Sequence, residues 1–293
     1  MPKLIKIKGD ASFRSFFRKK VNGKSSIVVY AKKEKSKNLL VYDAINKILN
    51  KNKILAPRLY TQRYDKNFIE IEDFGNETVF KTLKKKGKNK LSYFNRIIKL
   101  LIQIQSIKHR KVKNFRNQNY IIPKYDKKIL INEANLFCDW YAKNNLSKLR
   151  KKRFCKKFKK IIKELTLKLK LKDNIFVHRD FHVSNLMSVK NQIGLIDSQD
   201  ALIGNKAYDL ASLIDDVRLK TSYSFKEKIF KFYTKKQKNL DIKKFKNDFE
   251  ILSVLRNLKI IGIFTRLALR DRKKNYLRFI PYTWQLILSL IHI

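Results

Sequence analysis

The sequence predicts an α+β fold with two lobes, a small β-rich amino-terminal lobe and a large helical carboxy-terminal lobe. Three observations lead to this prediction. β-branched and aromatic residues recur in short stretches through the first third of the chain, and helical periodicity dominates from residue 77 onward. A short strand-like segment, residues 175–199, interrupts the helices and carries closely spaced aspartates. We therefore expect residues 1–73 to form the first lobe and residues 74–293 the second.

The amino-terminal lobe is predicted to be an antiparallel meander around one helix. Residues 21–24 contain an Asn-Gly pair, which is a turn signal between two strand-like stretches. Leucine, isoleucine and alanine then recur at helical spacing over residues 38–50. The predicted strands cover residues 5–8, 13–21, 26–31, 58–64 and 67–71.

The carboxy-terminal lobe is predicted to be helical on both sides of a small β element. In that element residues 186–189 and 193–197 are strand-like, and residues 190–192 close a hairpin between them. A further strand is predicted over residues 175–177. We expect the hinge between the lobes at residues 72–75. The predicted helices cover residues 77–86, 91–109, 126–144, 147–171, 225–238 and 242–270, with others beginning at Tyr208 and near the carboxy terminus.

The chain is strongly basic, with 70 Lys+Arg against 24 Asp+Glu in 293 residues and a formal net charge of +46. Such a charge suits nucleic acid or an anionic membrane surface. Lysine, isoleucine and asparagine abound together, however, as expected if AT-rich codons dominate the genome. Because no zinc knuckle, helix-turn-helix or ribonucleoprotein signature accompanies the charge, we favour compositional drift over nucleic-acid binding, which stays open.

The remaining compositional signals favour a cytoplasmic protein. Cys138 and Cys155 lie in helical patterns without metal-binding spacing, so we expect reduced, structural thiols. Charges interrupt the amino terminus too often for a signal peptide. The apolar residues 279–293 fall short of the ~20 that a membrane span needs.

One segment reverses the charge of the chain. Residues 173–216 hold seven aspartates and only three lysines or arginines. Within it His-Arg-Asp-Phe-His-Val-Ser-Asn, residues 178–185, is followed after the predicted hairpin by Ile-Asp-Ser-Gln-Asp, residues 196–200. Phosphoryl transfer needs a carboxylate to take a proton and oxygen ligands for a metal ion, so this layout predicts an ATP-dependent phosphotransferase.

The spacing assigns roles within this cluster. Asp180 is placed to be the catalytic carboxylate, and the hairpin would bring Asn185 and Asp197 together as ligands of Mg²⁺, a hard cation that prefers oxygen. Asp200 has three alternative roles, which the sequence leaves open: contact with the metal, contact with the acceptor, or support of the loop. The alternative for the whole cluster is a solvated acidic loop.

Several neighbouring residues have structural interpretations. We expect His178 and His182 to pack and orient the loop, because no third ligand stands at zinc spacing. Asp209 is expected either to accept hydrogen bonds from the backbone of the catalytic loop or to cap its own helix. Asp215 and Asp216 are expected on a solvated helix face.

The nucleotide side of the site is less clearly marked. Residues 9–14, Gly-Asp-Ala-Ser-Phe-Arg, could form a turn that covers phosphates, with Ser12 and Arg14 facing the nucleotide. Lys32 and Lys33 are the candidates for a lysine on the third strand. Asp43, on the following helix, is the acidic residue that could pair with such a lysine.

A family resemblance rests on these motifs and on four more stretches. Residues 178–187, 193–201 and 207–213 resemble the aminoglycoside phosphotransferase and choline kinase superfamily. Within it the nearest resemblance is to bacterial N-acetylmuramate/N-acetylglucosamine anomeric kinases. The further stretches that support it are residues 9–14, 71–75, 137–141 and 258–271.

The resemblance implies a bilobal protein-kinase-like fold with ATP between the lobes. It implies that Asp180 is the catalytic base and that Asn185 and Asp197 bind Mg²⁺. Glu72 and Phe74 would belong to the hinge beside adenine. The candidates for sugar contacts are Glu133, Trp140 and Arg266. Ser198 departs from the subgroup, which usually carries an aromatic residue there.

The leading hypothesis is a kinase for the anomeric hydroxyl of an N-acetylated amino sugar recovered from the cell wall. The same fold could serve an aminoglycoside or an amino alcohol, although a basic chain argues mildly against a cationic aminoglycoside. A third hypothesis is a nucleic-acid-binding module with a vestigial kinase site. A protein kinase is disfavoured, because the interval from Asp200 to Tyr208 is too short for an activation segment.

Overall fold

The computed structural model describes residues 3–7, 13–85, 87 and 89–291, and the chain folds into two compact units. The first unit comprises Met1–Pro123 with Asp180–Leu202, and the second comprises Lys124–Arg179 with Ile203–Ile293. This division does not test the predicted lobe boundary between residues 73 and 74, which stays a prediction.

Strands are concentrated in the first unit. A five-stranded antiparallel sheet has the order β1-β2-β3-β5-β4, so β5 returns between β3 and the edge strand β4. Three two-stranded sheets pair β6 with β7, β9 with β10 and β8 with β11. The strands are β1 Lys3–Ile7, β2 Ser15–Val21, β3 Lys24–Tyr30, β4 Leu59–Arg63, β5 Phe68–Glu72, β6 Lys111–Lys113, β7 Asn119–Ile121, β8 Asp173–Val177, β9 Leu186–Val189, β10 Gln192–Leu195 and β11 Leu202–Asn205.

Helices make up most of the second unit. A π-helix, Phe137–Ala142, continues the helix that precedes it. The helices are α1 Lys37–Lys51, α2 Val79–Lys84, α3 Lys90–Gln105, α4 Lys127–Leu136, α5 Lys143–Asn145, α6 Lys148–Leu167, α7 Tyr208–Ile214, α8 Tyr223–Lys235, α9 Ile242–Leu269 and α10 Ile280–Ile291. The predicted α+β class and most predicted elements are confirmed.

The predicted turns take the conformations that their residues favour. Asn22 and Gly23 both have positive φ, 47° and 74°, which matches the two-residue hairpin turn of an Asn-Gly pair between β2 and β3. Lys190 has φ 49° in the turn between β9 and β10. These turns set the register of both hairpins.

The core of the first unit lies between one face of the large sheet and α1. Its buried members are Val29, Ala31, Leu39, Tyr42, Ile69 and Ile71. Burial of each large apolar side chain stabilises the fold by roughly 1.5–3 kcal/mol. This packing fixes the sheet against α1. The candidate site residues of this unit, described below, are positioned by these elements.

The second unit is organised around α9. A Cβ atom at Gly262 of this helix would lie 2.4 Å from the carbonyl carbon of Leu136 and 2.7 Å from the backbone nitrogen of Phe137. Only glycine permits so close an approach, so α9 meets the junction of α4 and the π-helix backbone to backbone. Trp284 of α10 packs edge-on against Phe137, with ring centroids 5.5 Å apart.

The hairpin of β6 and β7 and the strand β11 were not predicted. The strands β6 and β7 span three residues each, which is too short for an alternating pattern to show. Among the residues that the structure describes, no helix has the length and apolar character needed to cross a membrane.

Candidate active site

The loop that begins at Asp180 is closed by hydrogen bonds from its own residues. His182 N donates to the Asp180 carbonyl at 3.0 Å, and Asn185 N donates to the His182 carbonyl at 2.9 Å. The Asn185 side chain adds a third bond, from Nδ2 to the Asp180 carbonyl at 3.0 Å. Because the nitrogen of this amide is used on the backbone, its Oδ1 is the end that suits a cation.

The β9–β10 hairpin brings the two predicted metal ligands to neighbouring positions. Leu186 pairs with Leu195 at the open end of the hairpin. Just beyond this pair, Ile196 N donates to the Asn185 carbonyl at 3.1 Å. Asp197 therefore follows a residue that is bonded directly to Asn185.

Asp197 is paired with Arg14, the residue immediately before β2. Arg14 Nη2 donates to Asp197 Oδ1 at 2.7 Å, and the two side chains are 4% and 39% exposed. The rings of Phe13, Phe16 and Tyr42 lie 5.6 to 5.9 Å from the guanidinium carbon of Arg14. The three rings thus surround the Arg14 guanidinium, while the Asp197 carboxylate with which it pairs remains partly exposed to solvent.

The phenol of Tyr42 stays neutral in this enclosure. Burial and the negative charge of Asp197 raise its pKa to about 12, although the Arg14 charge acts in the opposite direction. Tyr42 therefore contributes a ring and an uncharged hydroxyl at neutral pH, and no additional negative charge competes with Asp197 for Arg14.

Ser198 ties the Asp197 loop to helix α1. Its Oγ donates to Asn46 Oδ1 at 2.6 Å, and Asn46 Nδ2 donates to the Pro57 carbonyl at 3.0 Å. Both side chains are buried. At the position where the resemblance leads one to expect an aromatic ring, this chain has a small hydroxyl with a fixed partner. Sequence analysis missed Asn46, although a polar residue inside the apolar stripe of α1 was the available signal.

The predicted nucleotide residues have different surroundings. Ser12 lies outside the described residues. Lys32 and Lys33 are exposed beyond the end of β3, and Asp43 pairs with Lys47 on its own helix at 2.9 Å. Contacts of these residues with a nucleotide stay predictions.

The predicted hinge is held by an arginine of β2. Arg18 binds both carboxylate oxygens of Asp73, at 2.5 and 2.9 Å, and Gly75 N donates to the same carboxylate at 2.8 Å. Burial acts to raise the Asp73 pKa, but the hydrogen bonds from Arg18 and Gly75 outweigh it and lower the pKa. The Asp73 side chain therefore stays an anion that anchors the segment.

The other hinge candidates flank Asp73. The Phe74 ring lies over Gly194 of β10, where a Cβ atom would come within 2.8 Å of the ring. Glu72 accepts a bond of 3.4 Å from Arg58 N. Their contacts with adenine stay predictions.

Within the second unit, Asp209 holds the segment that leads to Asp180. Its carboxylate accepts bonds from His178 N at 2.7 Å and from Arg179 N at 3.0 Å. The first of the two roles expected for Asp209, support of the catalytic loop, is thereby confirmed. The expectation for Asp215 and Asp216 is wrong, since both are buried. Asp215 pairs with Lys226 at 2.6 Å.

Glu133 of α4 is the centre of a second charged group. Its carboxylate accepts hydrogen bonds from Tyr125 Oη and Arg179 Nη2, and Lys259 Nζ lies 3.0 Å from it. Burial acts to raise the Glu133 pKa, but the charges of Lys259 and Arg179 outweigh it and lower the pKa. Glu133 is thus a largely buried anion with three donors, and its contact with an acceptor stays a prediction.

The other acceptor candidates are Trp140, Arg266 and Asp200. Trp140 is half-buried on the π-helix, a distortion that often marks functional sites. Arg266 of α9 has a buried Nε with no hydrogen-bond partner in the described part of the chain, and burial lowers its pKa. Asp200 is exposed and accepts a bond of 2.8 Å from Gln199 Nε2. These candidates stay predictions.

The chemistry of the donor set suits magnesium. Asn185 and Asp197 offer an amide oxygen and a carboxylate, and Mg²⁺ is usually held by one or two such ligands with phosphate oxygens and water completing the octahedron. Over residues 3–7, 13–85, 87 and 89–291, no group of three or more His, Cys, Asp or Glu forms an all-protein metal cage. The binding of Mg²⁺ by Asn185 and Asp197 stays a prediction.

Comparisons with known proteins bear on the family of this chain. The profile of the phosphotransferase enzyme family matches residues 3–240. The chain is 27% identical to an N-acetylmuramate/N-acetylglucosamine kinase of Neisseria meningitidis serogroup B over 93% of this chain and 80% of that protein. It is 28% identical to a protein of the same name from Pseudomonas aeruginosa, over 95% and 80%.

A solved structure agrees with the fold. The choline kinase from Cryptosporidium parvum is similar with a TM-score of 0.67 at 15% identity, over 99% of this chain and 90% of that chain. The predicted kinase-like fold and the predicted family resemblance are both confirmed.

Proposed function

The chain belongs to the phosphotransferase enzyme family, and we propose that it transfers the γ-phosphate of ATP to the anomeric hydroxyl of N-acetylmuramate and N-acetylglucosamine recovered from the cell wall. The names of the relatives support this choice of acceptor. The observation that carries the proposal is the hydrogen-bonded loop from Asp180 to Asn185, joined through Ile196 to Asp197. Phosphoryl transfer requires a carboxylate that takes a proton and oxygen ligands for a metal ion, and this loop has such groups close together.

Asp180 is the proposed catalytic residue. Its carboxylate orients the acceptor hydroxyl and takes the proton as the oxygen attacks the γ-phosphorus in line. The bond between that phosphorus and the bridging oxygen breaks, and ADP leaves. No covalent enzyme intermediate is needed.

Asn185 and Asp197 are the proposed ligands of Mg²⁺, which when bound offsets the negative charge of the phosphates. Arg14 lies beside Asp197, so we assign its guanidinium to the phosphates as well. Ser12 and Lys32 are proposed to contact the phosphates, and Glu72 and Phe74 are proposed to lie beside adenine. The assignments of Ser12 and Lys32 rest on their places in the sequence, and those of Glu72 and Phe74 rest on the resemblance.

Arg266 offers a basis for acceptor selection. Its Nε is buried without a hydrogen-bond partner in the described residues, and a buried donor gains most from a charged acceptor. N-acetylmuramate carries a carboxylate on its lactyl ether, and N-acetylglucosamine lacks one. We therefore assign Arg266 to the carboxylate, Trp140 to the sugar ring and Asp200 to the polar edge of the acceptor. A cytoplasmic location stays a prediction from the sequence.

The test is ATP turnover with Mg²⁺ against N-acetylmuramate, N-acetylglucosamine, choline and kanamycin, with ³¹P NMR of the product. We expect a sugar 1-phosphate from the two amino sugars. Asp180→Asn should lower kcat by about 10²–10⁴-fold, the range for loss of a general base, while ATP binding is retained. Turnover on choline or kanamycin alone would replace the acceptor and keep the mechanism.

A further inference from the structure

We infer that Glu133 is a built-in anionic partner for Arg179 that holds the catalytic segment in its working geometry. It would do for Arg179 what an added phosphate does for an arginine in kinases that are activated by phosphorylation. This inference rests on the proposed function, and it makes Glu133 a positioning residue whose effect on catalysis passes through Arg179 to the next residue, Asp180.

The first observation is the conformation of Arg179. Its φ is 73°, in the left-handed region that residues other than glycine seldom adopt. Such a conformation persists only where the surroundings determine it. Asp209 fixes the backbone on one side, through His178 N and Arg179 N. Glu133 fixes the side chain, so the residue before Asp180 is held at both ends.

The second observation is the burial of the pair. The Arg179 and Glu133 side chains are 18% and 14% exposed, and the Arg179 guanidinium lies 5.2 Å from the Tyr125 ring centroid. Lys259 joins the same carboxylate at 3.0 Å. Tyr125 is itself fixed by its backbone bond to the Ile203 carbonyl at 2.7 Å. The pair is therefore part of the packed interior of the second unit, unlike a surface salt bridge.

The third observation concerns the segment where a regulatory phosphate would be added. Between Asp200 and Tyr208 the sequence is Ala-Leu-Ile-Gly-Asn-Lys-Ala, with no serine, threonine or tyrosine. In the structure β11 occupies most of this interval and pairs with β8. Because this interval has no hydroxyl for phosphorylation, the anion that pairs with Arg179 lies elsewhere in the fold. Glu133 of α4 provides it permanently.

The principal test compares Glu133→Gln, Arg179→Gln and the double variant in steady-state kinetics, with the acceptor that the wild type uses. Each single variant should lower kcat by about 10–100-fold, the usual cost of losing a residue that orients a ligand or catalytic group. KM for ATP and for the acceptor should stay within about twofold of wild type. The double variant should be no worse than Glu133→Gln, because both single variants break the same bond between Arg179 and Glu133.

Glu164→Gln is the matched control. Glu164 is exposed on α6, so the control loses the same charge from the same unit, and its kinetics should equal those of the wild type. Chemical rescue separates the anion from a general loss of structure. Glu133→Ala, assayed with added formate or acetate, should regain part of its kcat, whereas wild type and Glu164→Gln should not respond.

A readout without turnover keeps this inference separate from the proposed function. Hydrogen exchange of the backbone amides over residues 178–185 should become faster in Glu133→Gln and stay unchanged in Glu164→Gln. If the wild type is inactive on every acceptor, the proposed function fails and hydrogen exchange decides the inference alone. Unchanged exchange overturns it. So does a raised acceptor KM with unchanged kcat in Glu133→Gln, which would make Glu133 a substrate ligand.

Discussion

Two arginine–carboxylate pairs, one in each unit, differ in how far the carboxylate is exposed to solvent. In Arg14–Asp197 the arginine is 4% exposed and the carboxylate 39%. In Arg179–Glu133 both side chains are less than one-fifth exposed, and Lys259 adds a second cation. An exposed carboxylate can take a new partner at little cost. Breaking a buried pair leaves an uncompensated charge, which costs about 3–5 kcal/mol.

The difference suggests which pair changes during the reaction and which pair does not. Arg14 occupies one oxygen of Asp197, and a cation bound to that carboxylate has to share it. The first pair is therefore suited to exchange with ligands, while the second is suited to hold a fixed geometry. Four predictions test this contrast, from the largest expected effect to the smallest.

Removing the exposed carboxylate should have the largest effect. Asp197→Asn should lower kcat/KM for MgATP by at least about 100-fold, the upper end of the loss seen when a supporting residue of a metal site is changed. The free energy of unfolding should change little, because the asparagine keeps an oxygen that can accept the hydrogen bond from Arg14 and because the side chain is partly solvated. Steady-state kinetics and urea unfolding of the same sample measure the two effects. A large loss of stability would show that this pair is structural as well.

Removing the enclosed cation should have a smaller effect. Arg14→Met keeps an apolar side chain among the three rings and should raise KM for ATP by about 10–100-fold, since hydrogen bonds to charged groups contribute about 1.5–3 kcal/mol. An ATP titration at fixed Mg²⁺ gives the value. Arg63→Met, on the exposed edge strand β4, is the control. An unchanged KM would mean that Arg14 serves Asp197 alone.

The bond between Ser198 and Asn46 can be tested by a double-mutant cycle. Ser198→Ala leaves the buried Asn46 Oδ1 without its donor and should lower the free energy of unfolding by about 1–3 kcal/mol. Asn46→Leu also removes the donor to the Pro57 carbonyl, so its own loss should be larger, and the double variant should lose less than the sum of the two single losses. Chemical denaturation of the four proteins measures the coupling. Additive losses would contradict a direct bond.

The smallest expected effect is on acid stability. The pKa of Glu133 is lowered in the folded protein, so its contribution to stability is complete above the pKa of an ordinary glutamate. That contribution is lost as the pH falls through the folded pKa. Unfolding of Glu133→Gln should therefore depend less steeply on pH in the acid range than unfolding of the wild type. Equal slopes would show that Glu133 is not held as an anion.

Much of the fold was predictable because its signals are local. The Asn22–Gly23 turn, the apolar stripe of α1 and the β9–β10 hairpin each lie within one short window of sequence. The position of β5 between β3 and β4 depends on pairing across the unit. The π-helix departs from the helical period only locally. Neither leaves a periodic pattern that a sequence can show.

The same distinction between local and long-range signals applies to the candidate site. Spacing was enough to select Asp180, Asn185 and Asp197 as candidates. The partners of the Asp197 loop were not predictable, because Arg14 is 183 residues from Asp197 and Asn46 is 152 residues from Ser198. Asp215 was misjudged for a related reason. Its partners, Lys226 and Ser253, lie on other helices, and a helical pattern cannot reveal them.

The backbone at Asp197 has a consequence for the evolution of related chains. Its φ and ψ are 63° and 38°, a conformation that aspartate, asparagine and glycine tolerate and that costs other residues roughly 1–2 kcal/mol. Folding thus demands at this position a residue that tolerates the left-handed conformation, and the proposed binding of Mg²⁺ demands a carboxylate. Asp197→Asn takes a single base change, in the direction that AT-rich codons favour, and it meets the first demand while failing the second. A descendant could therefore keep this fold intact after losing its chemistry, and this one codon would record the loss.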